Sequence, residues 1–111
     1  MKKVENGMQM FRLALVAAFS RPFRPAVTIR FTLPYSGVNE VRFTIVDIKG
    51  RTVWNRSLFC GNAAGIQEII WNGSAQGRKP VVAGIYLLRM AAFDGKRNLV
   101  AAFQKKIWYL P

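Results

Sequence analysis

The chain has 111 residues, of which 51% are hydrophobic, 13% aromatic and only 20% charged. That length suits a single domain able to bury about two-thirds of the surface its unfolded chain exposes, and so much apolar content excludes disorder for most of it. Seventeen Lys and Arg stand against five Asp and Glu with no His, a net charge of +12 that calls for an anionic partner and leaves no His-based triad, general base or metal ligand.

Residues 1–7 read as a flexible N-terminal segment, and 8–111 as a single module. Lys2 and Lys3 ahead of the apolar stretch 13–19 have the outline of a signal peptide, but Arg12 interrupts the stretch and Glu5 dilutes the basic start. A first strand over 8–17, with Phe11, Leu13 and Leu15 sharing a face, is the better reading. No run approaches the ~20 apolar residues of a membrane-spanning helix, so no transmembrane segment is expected.

From residue 27 the pattern is one of strands and turns. Val27, Ile29, Phe31 and Leu33 alternate with Thr28, Arg30 and Thr32, which predicts a half-buried strand. A turn over 34–37 leads to Val41, Phe43 and Ile45, alternating with Arg42, Thr44 and Val46; the segment 47–51 is a hairpin tip, and 51–59 returns as a strand. After a loop at 61–65, a strand over 66–71 ends at Asn72-Gly73. Gly84 opens a strand over 85–92, Asp94-Gly95 marks a tight hairpin turn, and 98–110 forms the last strand. No segment has a capped helical period. Six or seven short strands at this spacing predict an all-β fold, an antiparallel immunoglobulin-like β-sandwich without the disulfide.

The chemistry available is narrow. Cys60 is the single cysteine, which excludes an intramolecular disulfide and a cysteine zinc cluster. Glu5, Glu40, Asp47, Glu68 and Asp94 are scattered, without the spacing that holds a hard cation or drives glycoside hydrolysis. Catalysis, a metal and a cofactor are therefore not expected.

The candidate anion-binding or surface-binding residues are basic. Strand parity turns Arg30 and Arg42 away from the core, Arg51, Arg56, Arg78 and Lys79 fall in or near hairpin ends, and Lys96, Arg97, Lys105 and Lys106 cluster along the final hairpin. One basic face results if adjacent strands bring these rows together. Trp54, with Thr52 and Arg56 as its period-two companions, is read as facing outward, where it would stack on a sugar ring or a base. Trp71 and Tyr86 are read as core, while Trp108 and Tyr109 either close the sandwich or meet a neighbouring domain.

The order of motifs carries a resemblance. Arg21-Pro22-Phe23-Arg24-Pro25 followed by Thr28-Ile29-Arg30-Phe31-Thr32-Leu33-Pro34 resembles the Asn-Pro-Phe-Asn-Pro and Thr-Ile-Arg-Phe opening of secretion-system C-terminal sorting domains. Those domains are related in fold to the immunoglobulin-like domain of flagellar hook-capping proteins. Val46-Asp47-Ile48-Lys49-Gly50-Arg51 is similar to their Tyr-Asp-x-x-Gly-Arg hairpin, Trp71-Asn72-Gly73 to Trp-Asp-Gly, Gly77-Arg78 with Pro80-Val81 to Gly-Arg-x-Val, and Ala83-Gly84-Ile85-Tyr86 to Ser-Gly-Val-Tyr. The likeness runs from about residue 21 to the end.

This resemblance implies a C-terminal module of a secreted bacterial protein, read by a type IX secretion apparatus and holding its carrier at the cell surface. In its basic balance the chain looks like the terminal modules of secreted polysaccharide-degrading enzymes of fibre-digesting bacteria. The implied partners are an anionic cell surface or the secretion apparatus, and an upstream enzyme domain on the same chain. A carbohydrate-binding module holding plant polysaccharide through Trp54 is the second reading. Non-specific nucleic-acid binding is the third, with no specific nucleic acid expected because no RNA-recognition signature is present.

Overall fold

The computed structural model describes residues 12–21, 24–61, 63–75 and 79–109. Seven strands follow one another: β1 (Ala14–Arg21), β2 (Arg24–Leu33), β3 (Glu40–Val46), β4 (Thr52–Phe59), β5 (Gly65–Trp71), β6 (Gly84–Phe93) and β7 (Leu99–Tyr109). All pairings are antiparallel, in a three-stranded sheet of order β1-β2-β5 and a four-stranded sheet of order β4-β3-β6-β7. The chain crosses between sheets after β2, β4 and β5, the route of an immunoglobulin-like sandwich. Among the described residues no helix is long and apolar enough to cross a membrane.

The alternation seen in the sequence sets the core. Val27, Ile29, Phe31 and Leu33 on β2 face Val41, Phe43 and Ile45 on β3 and Leu88, Met90 and Ala92 on β6, all buried. Phe31 and Phe43 meet across the sheets with ring centroids 4.9 Å apart. Apart from Ala92, each of these side chains contributes about 1.5–3 kcal/mol on leaving water. At one end of the sandwich Trp71 sits among Tyr109 at 5.3 Å, Tyr86 at 5.6 Å and Trp54 at 6.4 Å. Its indole Nε1 donates to the carbonyl of Ser74 at 2.8 Å, so the ring is buried with its polar atom satisfied.

Gly73 has φ +78°, and a Cβ there would overlap the Tyr109 ring. The Trp71-Asn72-Gly73 motif is thus a packing device: the tryptophan fills the core, the Asn72 side chain accepts from the Ser74 N–H, and the glycine lets the backbone pass over Tyr109.

The pairing is interrupted at four places among the described residues; at three of them the extra residue is a valine, Val16 on β1, Val53 on β4 and Val100 on β7, and the fourth lies between Ser20 and Arg21. The first strand runs over Ala14–Arg21 rather than 8–17; residues 1–11, including the predicted flexible segment and Phe11, lie outside the described residues. Because Val16 is the extra residue, Leu13, Leu15 and then Ala18 pack against the core.

The two hairpin turns share one construction. In 47–51 the Asp47 N–H donates to the Arg51 carbonyl, and its Oδ1 accepts from the Lys49 and Arg51 N–H groups, each at 2.9 Å. In 94–98 the Asp94 N–H donates to the Asn98 carbonyl at 3.0 Å, and its Oδ1 accepts from Lys96 and Asn98 at 2.8 and 2.9 Å. The left-handed residue is Gly50 (φ +83°) in the first and Arg97 (φ +67°) in the second. The hairpin turn expected at Asp94-Gly95 is thus formed, with Asp94 capping the backbone and Arg97, not Gly95, taking the positive φ.

Candidate functional site

The sheet order distributes the basic residues rather than gathering them. Arg30 lies on the outer face of the three-stranded sheet, opposite Glu68 in register, and its Nε and Nη2 donate to Glu68 Oε2 at 2.8 and 2.6 Å. Its guanidinium also stands 5.7 Å from the centre of the Phe19 ring. Arg51 donates through Nε to Asp47 Oδ2 at 2.8 Å at the hairpin tip. These two cations are committed to neighbours.

Arg56 is exposed on the edge strand β4, and Lys79 lies in the connection before β6. Lys96 and Arg97 occupy the 94–98 turn at the opposite end of the sandwich. Lys105 pairs with Leu88 and so shares the core-side parity of β7, exposed at the sheet's rim, while Lys106 pairs with Leu87 on the outer face. Arg78 lies outside the described residues. The single basic face anticipated from hairpin positions is not formed.

A smaller arrangement does form on the outer face of the four-stranded sheet. Arg42 on β3 is opposite Ala91, Arg89 is two residues before Ala91 and opposite Gln104, and Lys106 is two residues after Gln104. Arg42, Arg89 and Lys106 thus run diagonally over three strands, about 7–8 Å per step. Arg42 is held in place: its Nε donates to Glu40 Oε2 at 2.9 Å, and its guanidinium lies 4.4 Å from the centre of the Phe93 ring. The hydrogen bond from Arg42 holds the Glu40 carboxyl below its usual pKa, against the opposing effect of burial, with a smaller contribution from the Arg97 charge. Arg89 is absent from the candidates read from sequence, although the alternation of Tyr86, Leu88, Met90 and Ala92 toward the core turns it outward.

Among the described residues Arg12, Lys49, Arg56, Lys79, Arg89, Lys96, Arg97, Lys105 and Lys106 form no ion pair, whereas Glu40, Asp47 and Glu68 are each matched by an arginine. The same residues contain no group of three or more His, Cys, Asp or Glu placed to hold a metal ion. Burial raises the pKa of the Cys60 thiol, with Glu40 adding to the shift, which disfavours the thiolate.

Trp54 is corrected from outward to inward. With Val53 as the extra residue, Trp54 pairs with the buried Ile45, packs half-buried against the core and meets the Trp71 ring. Its ring is therefore part of the edge of the core rather than a side chain standing out from the sheet. Tyr109 closes the sandwich, whereas its neighbour Trp108 is 56% exposed and points to solvent.

No protein-family model and no curated protein matches the sequence. Solved structures do match in fold. The dimeric latent PorU from Porphyromonas gingivalis is similar at a TM-score of 0.66 and 24% identity, over 85% of this chain and 9% of that one. FlgD from P. aeruginosa is similar at 0.64 and 16% identity, over 86% of this chain and 71% of that one. FlgD from Xanthomonas campestris, a protein of hook capping in flagellar assembly, is similar at 0.60 and 19% identity, over 96% and 74%. At these identities the likeness establishes the sandwich fold, in agreement with the resemblance read from the motifs. The chain spans less than a tenth of the PorU chain.

Proposed function

We propose that this chain is a non-catalytic basic module of a larger secreted bacterial protein, a hydrolase by its resemblance, and that it serves secretion sorting and retention at an anionic cell surface. The observation that carries the reading is the charge balance of the folded surface. Three of the described carboxylates are each occupied by an arginine, and nine described Lys and Arg side chains are left without an ion pair. Spread over different faces, they suit an extended anionic layer better than a small ligand, which needs convergent groups. The fold shared with PorU and FlgD supports an accessory role, since one scaffold serves as a small part of the first and most of the second. Carbohydrate binding through Trp54 loses its support, because that ring is packed on Trp71.

Sorting is tested by fusing the whole chain to the C-terminus of a periplasmic reporter in a bacterium that has a type IX apparatus. The reading expects the reporter at the cell surface or in the medium. A reporter that stays in the periplasm overturns the sorting half of the proposal and leaves retention to be judged by binding.

A further inference from the structure

On the side of the 94–98 turn, the outer face of the four-stranded sheet ends in a row fixed by register. Phe59 on β4 is opposite Glu40 on β3, Glu40 is opposite Phe93 on β6, and Phe93 is opposite Leu99 on β7. Three strand spacings separate the ends of this row by about 14 Å. Phe59 is 74% exposed and Leu99 59%, so both ends of the row present apolar side chains to solvent. Basic groups border the row on both sides: Lys96 and Arg97 in the turn beyond it, and Arg42 and Arg89 in the next two register rows behind it. The carboxylate within the row, Glu40, is held by Arg42, and Asp94 in the turn accepts from backbone N–H groups.

We propose that this end of the sheet docks on an anionic lipid leaflet, with Phe59 and Leu99 entering the acyl boundary while Lys96, Arg97 and Arg89 meet lipid phosphates. The inference rests on the anionic-surface reading and adds the chemistry of that surface and the face that meets it. A second copy of the chain is a poor occupant, because each copy brings a net charge of +12. Exposed apolar side chains between bands of cations match a fluid amphiphilic layer.

The test is co-sedimentation of the full chain with phosphatidylglycerol-rich or pure phosphatidylcholine vesicles at low and moderate salt. Wild type and two double variants are compared: Phe59→Ser with Leu99→Ser, and Ile66→Ser with Ile70→Ser on the outer face of the other sheet, where both isoleucines are also exposed. All four side chains point to solvent, and circular dichroism confirms that each variant folds. The proposal expects wild type to favour the anionic vesicles. It also expects the Phe59/Leu99 variant to bind them at least about tenfold more weakly, and the isoleucine variant to change by less than about twofold. If the Phe59/Leu99 variant binds like wild type and only salt releases it, the docking face is wrong and the anionic-surface reading stands. Wild type that ignores vesicles but is retained on an acidic polysaccharide resin likewise overturns lipid docking and leaves the anionic-surface reading standing. Retention on neither, or equal binding to both lipids, overturns the docking proposal and the charge-based reading with it.

Discussion

Replacing Gly73 by alanine strikes the point where backbone conformation and core packing depend on one another. The residue has φ +78°, and a side chain there costs about 1–2 kcal/mol in backbone strain. The added Cβ also lands on the ring of Tyr109, which is 3% exposed and stacked 5.3 Å from Trp71, so the ring cannot swing into solvent without opening the aromatic cluster. Overpacking of this kind adds about 1–3 kcal/mol, for a total of about 2–5 kcal/mol, a large share of the roughly 5–15 kcal/mol that holds a domain folded. Guanidinium unfolding followed by tryptophan fluorescence measures it, with Gly50→Ala as the reference. Gly50 has φ +83° and nothing within 4 Å of its Cβ position, so that variant bears the strain alone. In a Tyr109→Leu background Gly73→Ala should fall toward the Gly50→Ala cost, a coupling that a double-mutant cycle isolates. The reasoning is refuted if Gly73→Ala costs no more than Gly50→Ala, or if its cost is the same with and without the Tyr109 ring.

Arg97→Gly should raise stability by about 0.5–1 kcal/mol, because it relieves the φ +67° backbone and the gain exceeds the extra chain entropy of glycine; the urea midpoint rises with the denaturant slope unchanged. Trp54→Ala should cost about 2 kcal/mol for a half-buried ring and leave retention on neutral xylan or cellulose unaltered; a stable variant that loses such retention would restore the sugar-stacking reading. Backbone N–H groups, those of Arg51 and Asn98 foremost, hold Asp47 and Asp94 below the ordinary aspartate pKa. A depressed folded pKa means that the stabilisation is fully present above the unfolded value of about 3.9 and is lost as pH falls through the folded one. The thermal midpoint should therefore fall in acid, with a shallower fall in Asp94→Asn, and stay flat from about pH 5 to 8 because no histidine titrates there.

The strands whose two faces differ in polarity are legible in the sequence. Val27, Ile29, Phe31 and Leu33 can be assigned to the core because Thr28, Arg30 and Thr32 separate them, and the structure buries all four. Bulges are not legible, since an extra valine in a strand rich in apolar residues leaves no mark on composition. The single insertion at Val53 is enough to turn Trp54 from the solvent side to the core. The place of the 94–98 turn is legible from Asp94-Gly95, but its geometry is not, because the decisive contacts are backbone donors to the Asp94 carboxylate. The basic residues are identifiable one by one, but their grouping depends on which strands are neighbours. Sheet order places Arg30 beside Glu68 and aligns Arg42, Arg89 and Lys106 on a different face.

The central claim is that unpaired cations attach this module to an anionic surface. It is tested most directly by the salt dependence of binding between the full chain and isolated bacterial outer membranes. Exposed charges separated by more than the screening length, about 10 Å at 0.1 M salt, lose their attraction as that length shrinks. The account predicts tight binding at low salt, weakening steeply through the physiological range, and weaker binding at every salt concentration when the unpaired Arg89, Lys96 and Lys106 are replaced together by glutamine. Binding that is indifferent both to salt and to those three replacements would contradict it.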